Sequence, residues 1–188
     1  LQPDFGTGLV LVVSCLLLLF SAGTPTKYFV IIGLLGVIGL IALIASAPYR
    51  LERIFAYLDP WSDPLGSGFQ SIQSLFAIAP SGLFGRGYNN SMQKHFFLPE
   101  PQNDFIFAIV CEEFGLIGGL IVIGVFLYII VQTIKIALNV DDNYLKFLSL
   151  GIGLSLFTQV FINVGVVIGL LPVTGITLPI LSLIAFFE

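Results

Sequence analysis

Charge is what this sequence has least of. Lys, Arg, Asp and Glu supply only 10% of its 188 residues while hydrophobic types supply 57%, against roughly 25% charged in a soluble domain. A chain this poor in charge is a membrane protein. The net charge of -4 is small and spread along the chain, so there is no electrostatic footprint for a nucleic-acid partner. A single histidine, His95, excludes a multi-histidine metal site. Cys15 and Cys111 make no disulfide framework; both lie in apolar runs, where a thiol packs as a small hydrophobe. There is no phosphate-cradling glycine motif, nucleophile elbow or metal-ligand cluster. Position 1 is Leu rather than Met, and residues 1–7 have neither the basic start nor the cleavage site of a signal peptide. The expectation is part of a longer protein, or a trimmed one.

What is there is a series of apolar runs. Crossing a bilayer with a helix takes about 20 such residues. Residues 8–22, 28–47, 105–134 and 147–171 read as spans, and 180–187 as the start of another. Gly33, Gly36 and Gly39 in the second run suit close approach of a neighbouring helix. The polar stretch 137–146 reads as a connector, and LPVTGITLP at 171–179, with two prolines and a glycine, as a bent or re-entrant link. Between the second and third runs lies a loop, 48–103, that holds almost half of the charges. Long ordered loops are usually functional. Within it Phe69, Ile72, Leu75, Phe76 and Ala79 recur at helical spacing, which predicts a short amphipathic helix on or in the membrane surface. The fold class is therefore all-α, a polytopic transmembrane bundle with one large loop containing a short amphipathic helix. Four basic residues (Arg50, Arg53, Arg86, Lys94) fall on the loop side and three (Lys27, Lys135, Lys146) on the other. That split sets no orientation, because positions far along a long loop count little.

Chemistry concentrates in LPEPQNDFIFAIVCEEFG, where a Pro-rich loop turns into an apolar helix. A charge at membrane depth costs from roughly 3 kcal/mol upward, so Asp104, Glu112 and Glu113 need a reason. Asp104 suits two roles: an N-cap for the helix that follows, and a general base at the depth where a lipid-linked substrate presents its head. On an ideal helix Glu112 lies about 80° around from Asp104 and roughly 12 Å deeper, with Glu113 pointing nearly the opposite way. The two glutamates then share a cavity only if the helix is enclosed by protein or locally irregular; otherwise they are structural hydrogen-bonding groups. Arg86 and Lys94 are either anchors for a phosphate or pyrophosphate or solvated loop charges. Gln159 and Asn163, four apart, share a helix face; they either bond to a neighbouring helix or line a polar cavity.

Together these stretches resemble the SEDS family (shape, elongation, division and sporulation), the FtsW, RodA and SpoVE group. The resemblance rests on QPDFGT at 2–7, DPWSDPLGSGFQ at 59–70, QSLFAI at 73–78, GLFGRG at 82–87, QKHFFLPEPQNDFIFAIVCEEFG from Gln93 and NVGVVIGLLPVTGITLP from Asn163. The wording of the second and fifth is closer to the division and sporulation branch. Asn103 stands where the family usually has Thr, and ILSLIAFFE follows TLP where it has a Ser-Tyr-Gly-Gly-Ser stretch.

The resemblance implies the C-terminal half of a multi-pass peptidoglycan glycosyltransferase of the bacterial cytoplasmic membrane, with the loop outside the cell. Such enzymes polymerise lipid II and release undecaprenyl pyrophosphate, in cell division, sporulation or shape control. They work with a class B penicillin-binding protein, other division or elongation membrane proteins and membrane lipids. The family's essential Asp falls on Asp104. Gln93, Lys94, Glu100, Arg86, Glu112, Gln159 and Asn163 are then expected at the substrate. No resident cofactor is called for, although a divalent cation, magnesium or manganese, is a candidate for offsetting charge on the leaving group. Two rival classes use the same architecture, a flippase that moves lipid II without making a bond and a non-catalytic division scaffold.

Overall fold

The computed structural model describes residues 5–45, 57–66, 68–87 and 105–179. Every regular element among them is helical: α1 (Phe5–Ser21), α2 (Thr26–Ala45), a 3₁₀ turn (Pro60–Ser62), α3 (Phe69–Ile78), α4 (Ile106–Asn139) and α5 (Asn143–Val167). The molecule is a polytopic membrane helical bundle.

Punctuation in the sequence sets the helix ends. At the end of α1, Gly23 adopts φ 83° and the amides of Ala22, Gly23 and Thr24 return to the carbonyls of Leu18, Phe20 and Leu19, a turn that glycine makes without steric cost. Pro25 then opens α2, where its missing N–H is not needed. Asp142 caps α5, its carboxylate accepting from the amides of Tyr144 at 2.7 Å and Leu145 at 3.4 Å. Helix α4 runs on to Asn139, so the polar stretch after Ile134 is mostly helix and residues 140–142 alone make the turn into α5. So short a link forces α4 and α5 to lie antiparallel. Both are long and apolar enough to cross a membrane.

Helices α4 and α5 pack most extensively, with α1 against α5 and α3 against α4. At Gly153 an added Cβ would sit 2.5 Å from Thr133 Oγ1, the close approach that small residues permit between membrane helices. The core joins Val10 of α1, Ala77 of α3, Phe105 and Phe107 at the start of α4, and Val167 and Leu178 at the C-terminal end. By contrast, α2 presents Val30, Leu34 and Leu35 outward, and its three glycines have open space beside them.

Beyond α5 the chain turns at Gly169 (φ 77°) and Gly175 (φ 73°) and runs back without helix. Asn163 holds this link by donating from Nδ2 to the carbonyl of Ile176 at 2.7 Å. Gly6 of α1 lies so close that a Cβ there would be 2.6 Å from the Thr174 carbonyl oxygen.

The amphipathic helix turns a face inward that differs from the apolar pattern. Its buried residues are Ile72, Ser74 and Ala77, while Phe76 is about half exposed and meets Trp61 edge-on at 5.8 Å. Small side chains bring the backbone down onto the bundle, and Ser74 Oγ donates to the carbonyls of Ser71 and Val167. Tyr57, near the start of the described part of the loop, donates its hydroxyl to the Leu170 carbonyl at 2.7 Å. The loop is thus fastened to the C-terminal end of α5.

Candidate functional site

Helix α4 is broken. A straight helix of its 34 residues would be roughly 50 Å long against a hydrocarbon core of about 30 Å. At Gly115 the backbone leaves the helix, with φ 69° and ψ -163°. A break in a membrane helix frees backbone groups that must find partners inside the protein. Here the glycine-rich strap 82–87 supplies them. The amides of Leu116 and Ile117 donate to the carbonyls of Gly82 (3.0 Å) and Leu83 (3.3 Å) rather than back along the helix. The carbonyls of Glu112 and Glu113 in turn accept from the amides of Arg86 and Gly87, both at 2.9 Å. Four backbone bonds to the strap thus flank the break.

Only glycine fits where the two backbones cross. A Cβ on Gly85 would lie 2.2 Å from the Glu113 carbonyl oxygen, and one on Gly115 would lie 2.4 Å from that of Leu83. Both residues also have positive φ, a region that costs other residues about 1–2 kcal/mol.

On this crossing sit an ion pair and two buried acids. Arg86 Nη1 is 3.4 Å from Glu112 Oε1, with the Glu112 side chain 1% exposed and that of Arg86 33% exposed. Glu113 is also buried, and its Oε1 has no hydrogen-bond partner. On an ideal helix the two glutamates point about 100° apart, one close to opposite Asp104. Both are nevertheless covered, because the strap and α3 enclose this stretch of α4 and the helix stops being regular two residues later.

The structure therefore brings together Arg86 and Glu112 of the residues singled out from sequence. Asn163 instead holds the C-terminal link, and Gln159, one turn earlier on α5, is half-buried. Asp104, Gln93, Lys94, Glu100 and His95 lie outside the described residues. The N-cap position of α4 is occupied by Phe105, one residue after the aspartate that the sequence offered for that role. Sequence reasoning missed the break and its strap. The signal was present in GLFGRG and the Gly of EEFG, but glycine is common enough in regular membrane helices that neither implied a kink.

Among the described residues no group of three His, Cys, Asp or Glu side chains gathers to hold a metal ion, and the Glu112 carboxylate faces Arg86. They offer no donor set for a divalent cation. An apolar groove of about 450 Å³ runs between α4 and α5, lined by Phe126, Ile130, Phe157, Val160, Phe161 and Leu171 among others. None of its lining side chains is titratable.

Fold and site define a class: a helical membrane protein whose longest spanning-length helix is interrupted and braced by a glycine-rich loop that pairs a charge with a buried glutamate. The comparisons make it specific. The sequence model described as "Cell cycle protein", for FtsW, RodA and SpoVE, matches residues 1–183, and the chain belongs to that family. It is 55% identical over 181 residues to stage V sporulation protein E of Bacillus subtilis (strain 168), covering 96% of this chain and 50% of that protein. It is 45% identical over 185 residues to the probable peptidoglycan glycosyltransferase FtsW of Coxiella burnetii (strain RSA 493 / Nine Mile phase I), covering 97% and 50%. To the FtsW of the same description from Geobacter sp. (strain M18) it is 41% identical over 181 residues, covering 96% and 49%. The chain thus spans about half the length of the curated relatives it matches. A solved structure concerning polymerization and crosslinking by a peptidoglycan synthase complex superposes with TM-score 0.69 at 30% identity, over 99% of this chain and 54% of that one.

Proposed function

We propose that this chain forms part of a peptidoglycan glycosyltransferase that polymerises lipid II in the bacterial cytoplasmic membrane. The observation that carries the reading is similarity over almost the whole chain to proteins named peptidoglycan glycosyltransferase. The braced break in α4 supports it, since a polar, charged site at membrane depth is what a lipid-linked sugar requires.

The reaction needs a base. A sugar hydroxyl is a poor nucleophile, and a carboxylate within about 3 Å of it contributes roughly 10²- to 10⁴-fold. In this reading Asp104 takes the proton from the acceptor's 4-hydroxyl as that oxygen attacks the anomeric carbon of the donor. The new glycosidic bond forms with inversion while the bond to the pyrophosphate breaks, and undecaprenyl pyrophosphate departs with the electron pair. Lys94 supplies positive charge against the growing charge on that leaving group. Gln93 and Glu100, in the same segment, are assigned to the disaccharide. Arg86 is already compensated by Glu112, and no step is routed through a metal ion. The loop 48–103 faces outside the cell, and a class B penicillin-binding protein is the partner that crosslinks the product.

The test uses the complete protein, reconstituted with its transpeptidase partner in vesicles containing labelled lipid II. The expected result is glycan chains of many disaccharides with release of undecaprenyl pyrophosphate. Transfer of labelled lipid across the bilayer without glycan would make the protein a flippase, and neither activity would make it a scaffold.

A further inference from the structure

The strap and the broken helix meet through one residue twice. Arg86 donates its backbone amide to the Glu112 carbonyl and sets its guanidinium against the Glu112 carboxylate. No other strap residue has both a backbone bond and an ion pair to α4 among the described residues. The carboxylate it meets is almost fully buried, where removal of one partner leaves an uncompensated charge. The Gly85–Gly115 crossing sets the two backbones in contact, so the strap has no slack in which to shift. Without it, the part of α4 before Gly115 is joined to the rest of the helix by a single non-helical residue.

We propose that Arg86 and Glu112 are positioning residues: their ion pair latches the strap across the break and thereby fixes the direction of the first part of α4, the end at which the loop delivers its reactive groups. Arg86 then acts through Glu112 rather than by touching the pyrophosphate, a different role from the phosphate anchor its residue type suggests. The consequence for catalysis rests on the glycosyltransferase reading; the latch itself does not.

A positioning pair and a phosphate anchor have different kinetic signatures. A misplaced catalytic end lowers kcat, whereas a lost ground-state contact raises KM. In the complete protein, Glu112→Gln and Arg86→Ala are each expected to lower kcat for lipid II polymerisation by up to roughly 100-fold, with KM unchanged within about threefold. The double variant is expected to be no worse than Arg86→Ala alone, because the two side chains act as one unit. Arg86→Ala with a raised KM and wild-type kcat would overturn the proposal, as would strictly additive losses in the double variant. Amide exchange, followed by mass spectrometry in detergent without substrate, reports on the latch independently. In Glu112→Gln the amides of Arg86, Gly87, Leu116 and Ile117 should lose protection while those in the middle of α5 keep theirs. Unchanged protection at the strap sinks the latch even if polymerisation proceeds. Lost protection in Glu112→Gln, with no glycan made even by the wild-type complete protein, leaves the latch standing and removes the enzyme reading instead.

Discussion

At the scale of single residues, the two glycines of GLFGRG that face different surroundings separate backbone strain from crowding. Gly82 (φ +59°) has nothing within 4 Å of where a Cβ would sit, whereas Gly85 (φ +73°) has the Glu113 carbonyl oxygen at 2.2 Å. Gly82→Ala should therefore cost about 1 kcal/mol from backbone conformation alone. Gly85→Ala should cost about 2–4 kcal/mol once overpacking is added, seen as a clearly lower melting temperature in detergent. Equal costs at both positions would mean that the strap does not touch the helix. Asn163→Leu removes the bond to Ile176 and should destabilise by about 1 kcal/mol, the usual worth of a hydrogen bond between membrane segments. Thermal melting of that variant checks the C-terminal link. The sequence offered Asn163 both a structural and a cavity-lining role, and its side-chain amide fills the structural one by donating to the Ile176 carbonyl of a non-helical segment.

At the scale of elements, the helices are legible because lipid leaves a chain little choice: an apolar run must satisfy its own backbone bonds. Their interruptions are less so. Gly115 follows two glutamates in an otherwise apolar run, and only the strap 82–87, some thirty positions earlier in a different composition regime, explains why the helix can stop there. The burial of both Glu112 and Glu113 follows from that long-range contact and not from helical periodicity. The inward face of α3 is hard to read for a related reason. Ser74 and Ala77 are weak signals by hydrophobicity, yet their small size lets the helix settle on α4 and α5. The cap of α5 is the opposite case, local and readable: Asp142→Ala should lose the bonds to Tyr144 and Leu145 and cost about 1 kcal/mol. Helicity at the start of α5, followed by amide exchange, should fall without disturbing the strap.

At the scale of the whole molecule, the bundle holds a charged loop against a helix break at the side where α4 begins. Tyr57 fastens the loop to the end of α5, Ser74 fastens α3 to Val167, and the strap closes over Gly115. These attachments converge on the N-terminal end of α4, which immediately follows the LPEPQND segment in sequence. The family and the architecture could be read from motifs in register along almost the whole chain. The bracing could not, since it depends on which backbone groups lie unpaired once the helix stops.

The central claim is that the carboxylate of Asp104 is the base for glycan polymerisation, and Asp104→Asn tests it most directly, because amide and carboxylate are nearly the same size and only the ability to accept the proton is lost. Polymerisation of lipid II by the complete protein with its partner present should fall by roughly 10²-fold or more, with the melting temperature unchanged. Glycan synthesis by Asp104→Asn at the wild-type rate would contradict the account.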